Sequence, residues 1–262
     1  MNSILSSLWA ETLKARRSKV PLLAGIGFTL APLMDGLFMF IMKDPQRARE
    51  MGLLSVKAQL AMTDANWSTF FSVLTQAIAV GGVIVFSIVT AWIFGREFSD
   101  HTAKDLLATP TSREHMVAAK LIVISAWGLI TSLWLYLIGL IVGRLVDIPG
   151  WTNGLALQSF RDVLLTSGMT LLLMTPVAFI ASMGRGYLPP LGFAVLTIFF
   201  SQIIAATGWG DWFPWSVPAL YSEVVGPRSE QLGIHSYVLV LLAGMTGLIA
   251  TFWWWRNADQ TR

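Results

Sequence analysis

Residues 94–120 read FGREFSDHTAKDLLATPTSREHMVAAK. The stretch carries charges of both signs and lies between two of the most hydrophobic runs in the chain. A few residues suffice to join two membrane-crossing helices, so a connector with its own pattern is more than a tether. On a helical wheel of residues 97–107, Glu97, Asp100, His101, Lys104 and Asp105 occupy one half. Phe98, Ser99, Thr102, Ala103, Leu106 and Leu107 occupy the other half. Asp100 sits one turn from Lys104 and Glu97 two turns from it, so opposite charges support a helix. Pro110 ends that helix, because proline lacks an N–H and disfavours helix at Thr109. Thr111 or Ser112 then caps a second helix running through Arg113, Glu114 and Lys120 into the next apolar run. Segment 95–116 is thus expected to be helix, break, helix. Its apolar face has two physical readings. It rests on lipid headgroups, or it docks on a partner whose motion it transmits into the membrane.

The flanking runs decide the fold. Only 13% of the 262 residues are charged, against about 25% in a soluble domain, and the mean hydropathy is +0.63. Between islands of charge lie apolar runs of about 20 residues, the length that crosses a hydrocarbon core of about 30 Å. Six such spans are expected, at 20–42, 68–94, 117–143, 163–183, 188–207 and 236–255. The expected fold is an all-α polytopic membrane protein, with residues 1–262 forming a single transmembrane domain. With no cysteine there is no disulfide framework and no thiolate metal site. His101, His115 and His235 are too scattered for a metal cluster, and no nucleic-acid partner is expected. The N-terminus is not read as a signal peptide, since its charges follow its apolar residues and no small-residue cleavage site appears.

Within the first 19 residues, Ile4, Leu5, Leu8, Trp9 and Thr12 fall on one side of a helix, with Ser6, Ser7, Glu11 and Lys14 mostly on the other. At about three turns it is too short to span, so it lies in the interface or is a frayed tail. The residues RAREMGLLSVKAQLAM, between spans 1 and 2, could form a short surface helix. Six spans place both termini on one side. The larger share of Lys and Arg falls there, and Lys14, Arg16, Arg17 and Lys19 abut span 1 directly, so the termini and the 95–116 segment are expected to be cytoplasmic. Trp253, Trp254 and Trp255, followed by Arg256, suit an aromatic anchor at the same face.

Other candidates lie elsewhere. Asp35 in span 1 is an intramembrane acid, costly and by default functional. It lines a polar path, or it is an end-of-helix acid that reaches outer water. Arg161 and Asp162 stand at the outer start of span 4, expected to snorkel or, alternatively, to act in substrate admission. Pro176 is expected to kink span 4 and free a carbonyl. Trp209, Trp212, Phe213, Pro214, Trp215, Pro218 and Tyr221 precede span 6. They are read as short interfacial or re-entrant helices at the outer face, forming either a lid over a translocation path or a plain aromatic belt. GWTNG at 150–154 is read as loop, and the formal sequon at Asn66 as chance.

The residues of REFSDHTAKDLLATPTSREHMVAAK also resemble the cytoplasmic loop of ABC-2 type transporter permeases, at Glu97, Thr102, Lys104, Leu107, Pro110, Ser112, Arg113 and Lys120. His101 stands where many members have glycine. GWGDWFPWSVPALYS is similar to the segment before the last span in the bacitracin- and lantibiotic-export branch. The resemblance implies a permease subunit of an ATP-driven exporter in the plasma membrane, carrying a hydrophobic or amphiphilic cargo, such as a peptide antibiotic or lipid-like molecule. It implies two copies of a separate ATP-binding subunit and a second permease chain, identical or related, within membrane lipid. ATP and magnesium would be bound by that partner, and no cofactor by this chain. Consistently, no GxxxxGK[ST] motif occurs in the sequence. The loop between spans 2 and 3 would be the coupling helix, with Glu97, Phe98, Thr102, Lys104, Leu106, Leu107, Pro110 and Arg113 at the ATPase interface. Asp35, Trp212, Phe213 and Trp215 would belong to the translocation path or its outer lid. Two other classes stay open: a non-transporting assembly or sensing subunit, and an integral-membrane lipid enzyme, for which no acid, His or Ser dyad is evident.

Overall fold

The structure, a computed structural model, describes residues 3–43, 65–100, 102, 111–223 and 232–257. Among these it is helical throughout, and six helices are long and apolar enough to cross a membrane. Helix α1, Ser3–Arg17, precedes them. The spans are α2, Lys19–Lys43; α3, Trp67–Ser99; α4, Arg113–Leu145; the broken pair α5, Asn153–Leu172, and α6, Met174–Met183; α7, Leu188–Ala206; and α9, Ile234–Asn257. Between α7 and α9 lie two 3₁₀ turns, Gly210–Trp212 and Pro214–Ser216, and the short α8, Val217–Tyr221. These are the short helices expected before span 6. The surface helix anticipated between spans 1 and 2 lies outside the described residues.

Local chemistry sets the helix starts. Ser112 caps α4, its hydroxyl accepting from His115 N at 3.3 Å. Asn66 caps α3, accepting from Thr69 N at 2.9 Å, which gives the sequon asparagine a structural job. Thr152 caps α5 by accepting from Leu155 N at 3.1 Å. Span 4 therefore begins at Asn153, ten residues before the expected 163, and GWTNG is a capped helix start as well as a loop. At the sharp elbow between α1 and α2, Ser18 Oγ accepts from Val20 N at 3.1 Å. In the GRGYLPP turn the left-handed residue is Arg185, at φ 50°. The glycines around it serve close approach: a Cβ on Gly95 of α3 would lie 2.8 Å from Gly186 O.

The α5–α6 break matches the expected kink. Pro176 cannot donate to Leu172 O. The Thr175 hydroxyl, 3.0 Å from Leu172 O and also within reach of Gly244 O, takes up the freed carbonyl. Gly244 and Gly247 of α9 let that helix close on the break: a Cβ on the first would strike Leu172 and on the second the Pro176 backbone nitrogen. In α3 a π-helical turn over Ala77–Gly81 widens the helix in mid-membrane. The interior is built around α3, with Phe70, Leu74, Ile78, Phe86, Val89 and Phe94 buried. The outer faces of α2, α7 and α9 carry exposed Leu, Ile and Phe, as expected where lipid is the solvent.

Candidate functional site

Six crossings bring α1, the end of α3, the start of α4, the α6–α7 turn and the end of α9 to one face, which carries both termini. Here the chain buries three charges, Glu11, Glu97 and Lys120, and half-buries a fourth, Lys14. Helix α1 packs mainly on α4, and it does so with its polar stripe inward. Ser7 and Glu11 are buried, while Leu5 and Trp9 are 55% and 68% exposed. An amphipathic helix turns its polar face to the protein only if that protein supplies countercharge. Lys120 of α4 supplies it, with 0% of the residue exposed. Its ammonium donates to Glu97 Oε1 at 2.8 Å, to Ile93 O at 3.0 Å and to Glu11 Oε2 at 3.3 Å. Lys14 donates to Glu11 Oε1 at 2.6 Å and to Glu97 Oε1 at 3.0 Å. Two carboxylates and two ammoniums thus alternate in a closed ring that pins α1 to the roots of α3 and α4.

The ring is neutral as a whole, so its charges are affordable in a dry site only together. Burial works against the Lys14 ammonium, yet the carboxylates of Glu97 and Glu11 outweigh it and hold its pKa above the ordinary lysine value. One acceptor, Glu97 Oε2, is buried without a donor among the described residues. No group of three or more His, Cys, Asp or Glu that could hold a metal ion is found among the described residues. What the contacts do is tie α1 to the end of α3 and the start of α4, at the base of the 95–116 segment.

Glu97 was expected on the polar half of a helix over 97–107, after a span 2 ending at 94. The structure corrects that boundary. Span 2 runs on to Ser99, and Glu97, 2% exposed, faces inward to the two lysines. Its partners lie on other elements, which a wheel of one segment cannot see. Phe98 also turns inward and packs edge-on against Trp254 at 5.9 Å. Thr102 N closes the end of α3 on Glu97 O at 2.9 Å. Arg113 Nη1 donates to Trp255 O at 3.2 Å, tying α4 to the end of α9. The tryptophan anchor is corrected too: Trp253 is 64% exposed, but Trp254 and Trp255 are buried, and Trp255 Nε1 donates to Ser182 Oγ at 2.9 Å. Lys104, Leu106, Leu107 and Pro110 lie outside the described residues, as does His101.

At the opposite face, Asp35 is 5% exposed, eight residues or about 12 Å along α2 from Lys43. Neither of its carboxylate oxygens meets a donor among the described residues. Lys43 is instead engaged with Asp147 Oδ2 at 3.0 Å and with the carbonyls of Val146 and Asp147, just past the end of α4. Asp162 does not snorkel: it is buried and accepts from the Tyr221 hydroxyl at 2.7 Å. The turns carrying Trp212, Phe213 and Trp215 pack on α7 and α9, whereas Asp35 rides on α2 against α3 and α4. Trp212 stacks on His235 at 4.5 Å, and His235 Nε2 lies 3.0 Å from Asp211 Oδ2. Trp215 packs edge-on against Phe193 and beside Phe213, both at 5.6 Å. The structure thus unites Glu97 with Lys120 and separates Asp35 from the aromatic turns.

Sequence reasoning missed Glu11 and Lys14 as site residues, although it placed both on the polar side of α1. A usable signal was there. Lys120 stands two turns inside an apolar helix, where a lone charge demands a partner, and an acid–base pair at i, i+3 on an adjoining amphipathic helix is a ready one.

A family model described as ABC-2 family transporter protein matches residues 7–201, a range that includes all four ring residues and the whole connector. A bacitracin transport permease protein, BCRB, of Bacillus licheniformis is 24% identical over 192 residues, covering 73% of this chain and 91% of the relative. No solved structure matches significantly.

Proposed function

Because the chain belongs to the ABC-2 transporter family, we propose that it carries an amphiphilic peptide antibiotic outward, at the expense of ATP hydrolysed by another chain. It is a multi-pass membrane permease subunit of an ABC exporter. ABC-2 permeases work with ATP-binding subunits, and a subunit of that kind is its partner. We place two copies of it beneath a pair of permease chains in the plasma membrane, with the termini and the 95–116 connector cytoplasmic. ATP and magnesium belong to those partners. The peptide cargo rests on the printed function of the Bacillus licheniformis relative.

The observation that carries the coupling role is the charge ring. A connector that is to move two spans must be rigid where it meets them. Glu97 at the end of α3 and Lys120 near the start of α4 bond directly across that junction, at 2.8 Å. Glu97 and Phe98 are the root of the lever in this reading, and the remaining connector residues, Leu106 and Leu107 foremost, are its ATPase-facing part. Arg113 braces the lever against α9. Asp35 is the candidate polar group of the path, and Trp212, Phe213 and Trp215 form its outer cover.

Coexpression with the cognate ATP-binding subunit tests the reading. Leu107→Asp is expected to abolish copurification of the ATPase and bacitracin resistance together, with membrane insertion unchanged. Normal copurification and turnover in the variant would refute the connector as the coupling element.

A further inference from the structure

We infer that the groove under the α1–α2 elbow is a binding site for one anionic phospholipid of the leaflet at the termini-bearing face. This goes beyond the permease reading and rests only on the chain's placement in a membrane.

A groove of about 490 Å³ runs between α2 and α4, walled by Pro21, Leu22, Gly25, Ile26, Trp127 and Trp134. From Pro21 to Thr29 it extends about 12 Å along α2. The threonine hydroxyls on its floor are engaged internally. Thr29 Oγ1 donates to Gly25 O at 2.9 Å and accepts from Trp134 Nε1 at 3.2 Å, and Thr131 Oγ1 donates to Trp127 O at 2.8 Å. The floor therefore offers an occupant apolar contact alone. Leu22 and Ile26 are more than half exposed along it, so in a membrane it opens onto hydrocarbon and an acyl chain fills it.

Charge selects the headgroup. Arg16 lines the end of the groove nearest the elbow, and Arg17 and Lys19 are exposed on either side of Ser18. Lys14, one turn earlier, is engaged by two carboxylates. Arg16, Arg17 and Lys19 meet no carboxylate among the described residues. Three unpaired cations at headgroup depth, above an apolar slot, match a phosphate with an acyl chain beneath it. Each basic residue near an anionic surface contributes about 1 kcal/mol, or about fivefold in affinity. A zwitterionic lipid gains much less.

The test is native mass spectrometry after reconstitution in vesicles of mixed phosphatidylglycerol and phosphatidylcholine and gentle extraction. The intact chain is expected to retain phosphatidylglycerol at least about tenfold over phosphatidylcholine. Gly25→Leu fills the groove, and a Cβ there meets nothing within 4 Å, so the variant folds while losing the lipid. Gly27→Leu, equally open but not in the groove, keeps it. The triple change Arg16→Gln, Arg17→Gln, Lys19→Gln removes the preference between the two lipids. Equal retention of both lipids by the parent, or undiminished retention in Gly25→Leu, overturns the site. So does loss of a chain–chain cross-link in Gly25→Leu with lipid unaffected, since the groove would then be a contact between copies. None of these outcomes depends on transport, so the permease reading stands or falls separately.

Discussion

Replacing Lys120 with methionine keeps the length and apolar stem of the side chain and removes its charge. Two carboxylates, Glu97 and Glu11, with 2% and 7% of their side chains exposed, are then left to share Lys14. Removing one partner of a buried ion pair costs about 3–5 kcal/mol. Lys14 stays within 3.0 Å of both acids, so the lower figure applies. At about 1.4 kcal/mol per factor of ten, 3 kcal/mol raises the population with α1 undocked by about 150-fold. The sequence has no cysteine, so a single Ser7→Cys reports this cleanly. Ser7 is 8% exposed and lines the crevice shared by Glu11 and Lys14. Its labelling by a polar maleimide is expected to accelerate about 100-fold in Lys120→Met. A Ser159→Cys reporter, at a buried position of α5 near the opposite face, stays protected, which separates undocking of α1 from collapse of the bundle. Adding Glu97→Gln to Lys120→Met removes the stranded charge and brings labelling back to within about tenfold of the parent, the signature of coupled residues. A Lys120→Met rate within about threefold of the parent, or a double variant as fast as the single, would refute the ring as the clasp of α1.

Three further outcomes are expected. Gly247→Ala drives a methyl into the backbone of the α5–α6 break; it should cost about 2–3 kcal/mol and lower Tm by roughly 5–10 °C in a thermal melt, whereas Gly168→Ala, with nothing within 4 Å, does not lower Tm. Asp35→Asn keeps shape and removes the capacity for charge, so cargo transport in vesicles should fall several-fold at unchanged expression; normal transport would strip Asp35 of a role in the path. The folded-state pKa of Lys14 is raised, so its contribution to docking is complete below the ordinary lysine value of 10.5 and fades only as pH climbs through the raised one. Labelling of Ser7→Cys, corrected for thiolate fraction, should therefore be flat between about pH 7 and 9 and rise only at stronger alkalinity.

Much of the architecture was legible because it is written locally. The spans follow from runs of apolar residues, since each crossing helix must satisfy its backbone within itself. A cap at Thr111 or Ser112 was readable from their place after Pro110, the structure choosing Ser112, and the Pro176 break from the missing N–H. The start of α5 was not readable from hydropathy, because Gln158, Arg161 and Asp162 interrupt the run. Gln158 and Arg161 stay exposed, and the buried Asp162 is accommodated by tertiary structure, through Tyr221 on α8.

The chain's sequence alone determined that it crosses the membrane six times and that it carries a patterned, charged connector after its second span. The partners of those charges were decided elsewhere. Whether Glu97 points to water or to protein depends on Lys120, 23 residues away, and on Lys14, 83 residues away. No local propensity encodes such pairings, because a dry charge takes its stability from whichever counterion the packing of distant helices delivers. The same packing turned the polar stripe of α1 inward and left Arg16 and Arg17 exposed.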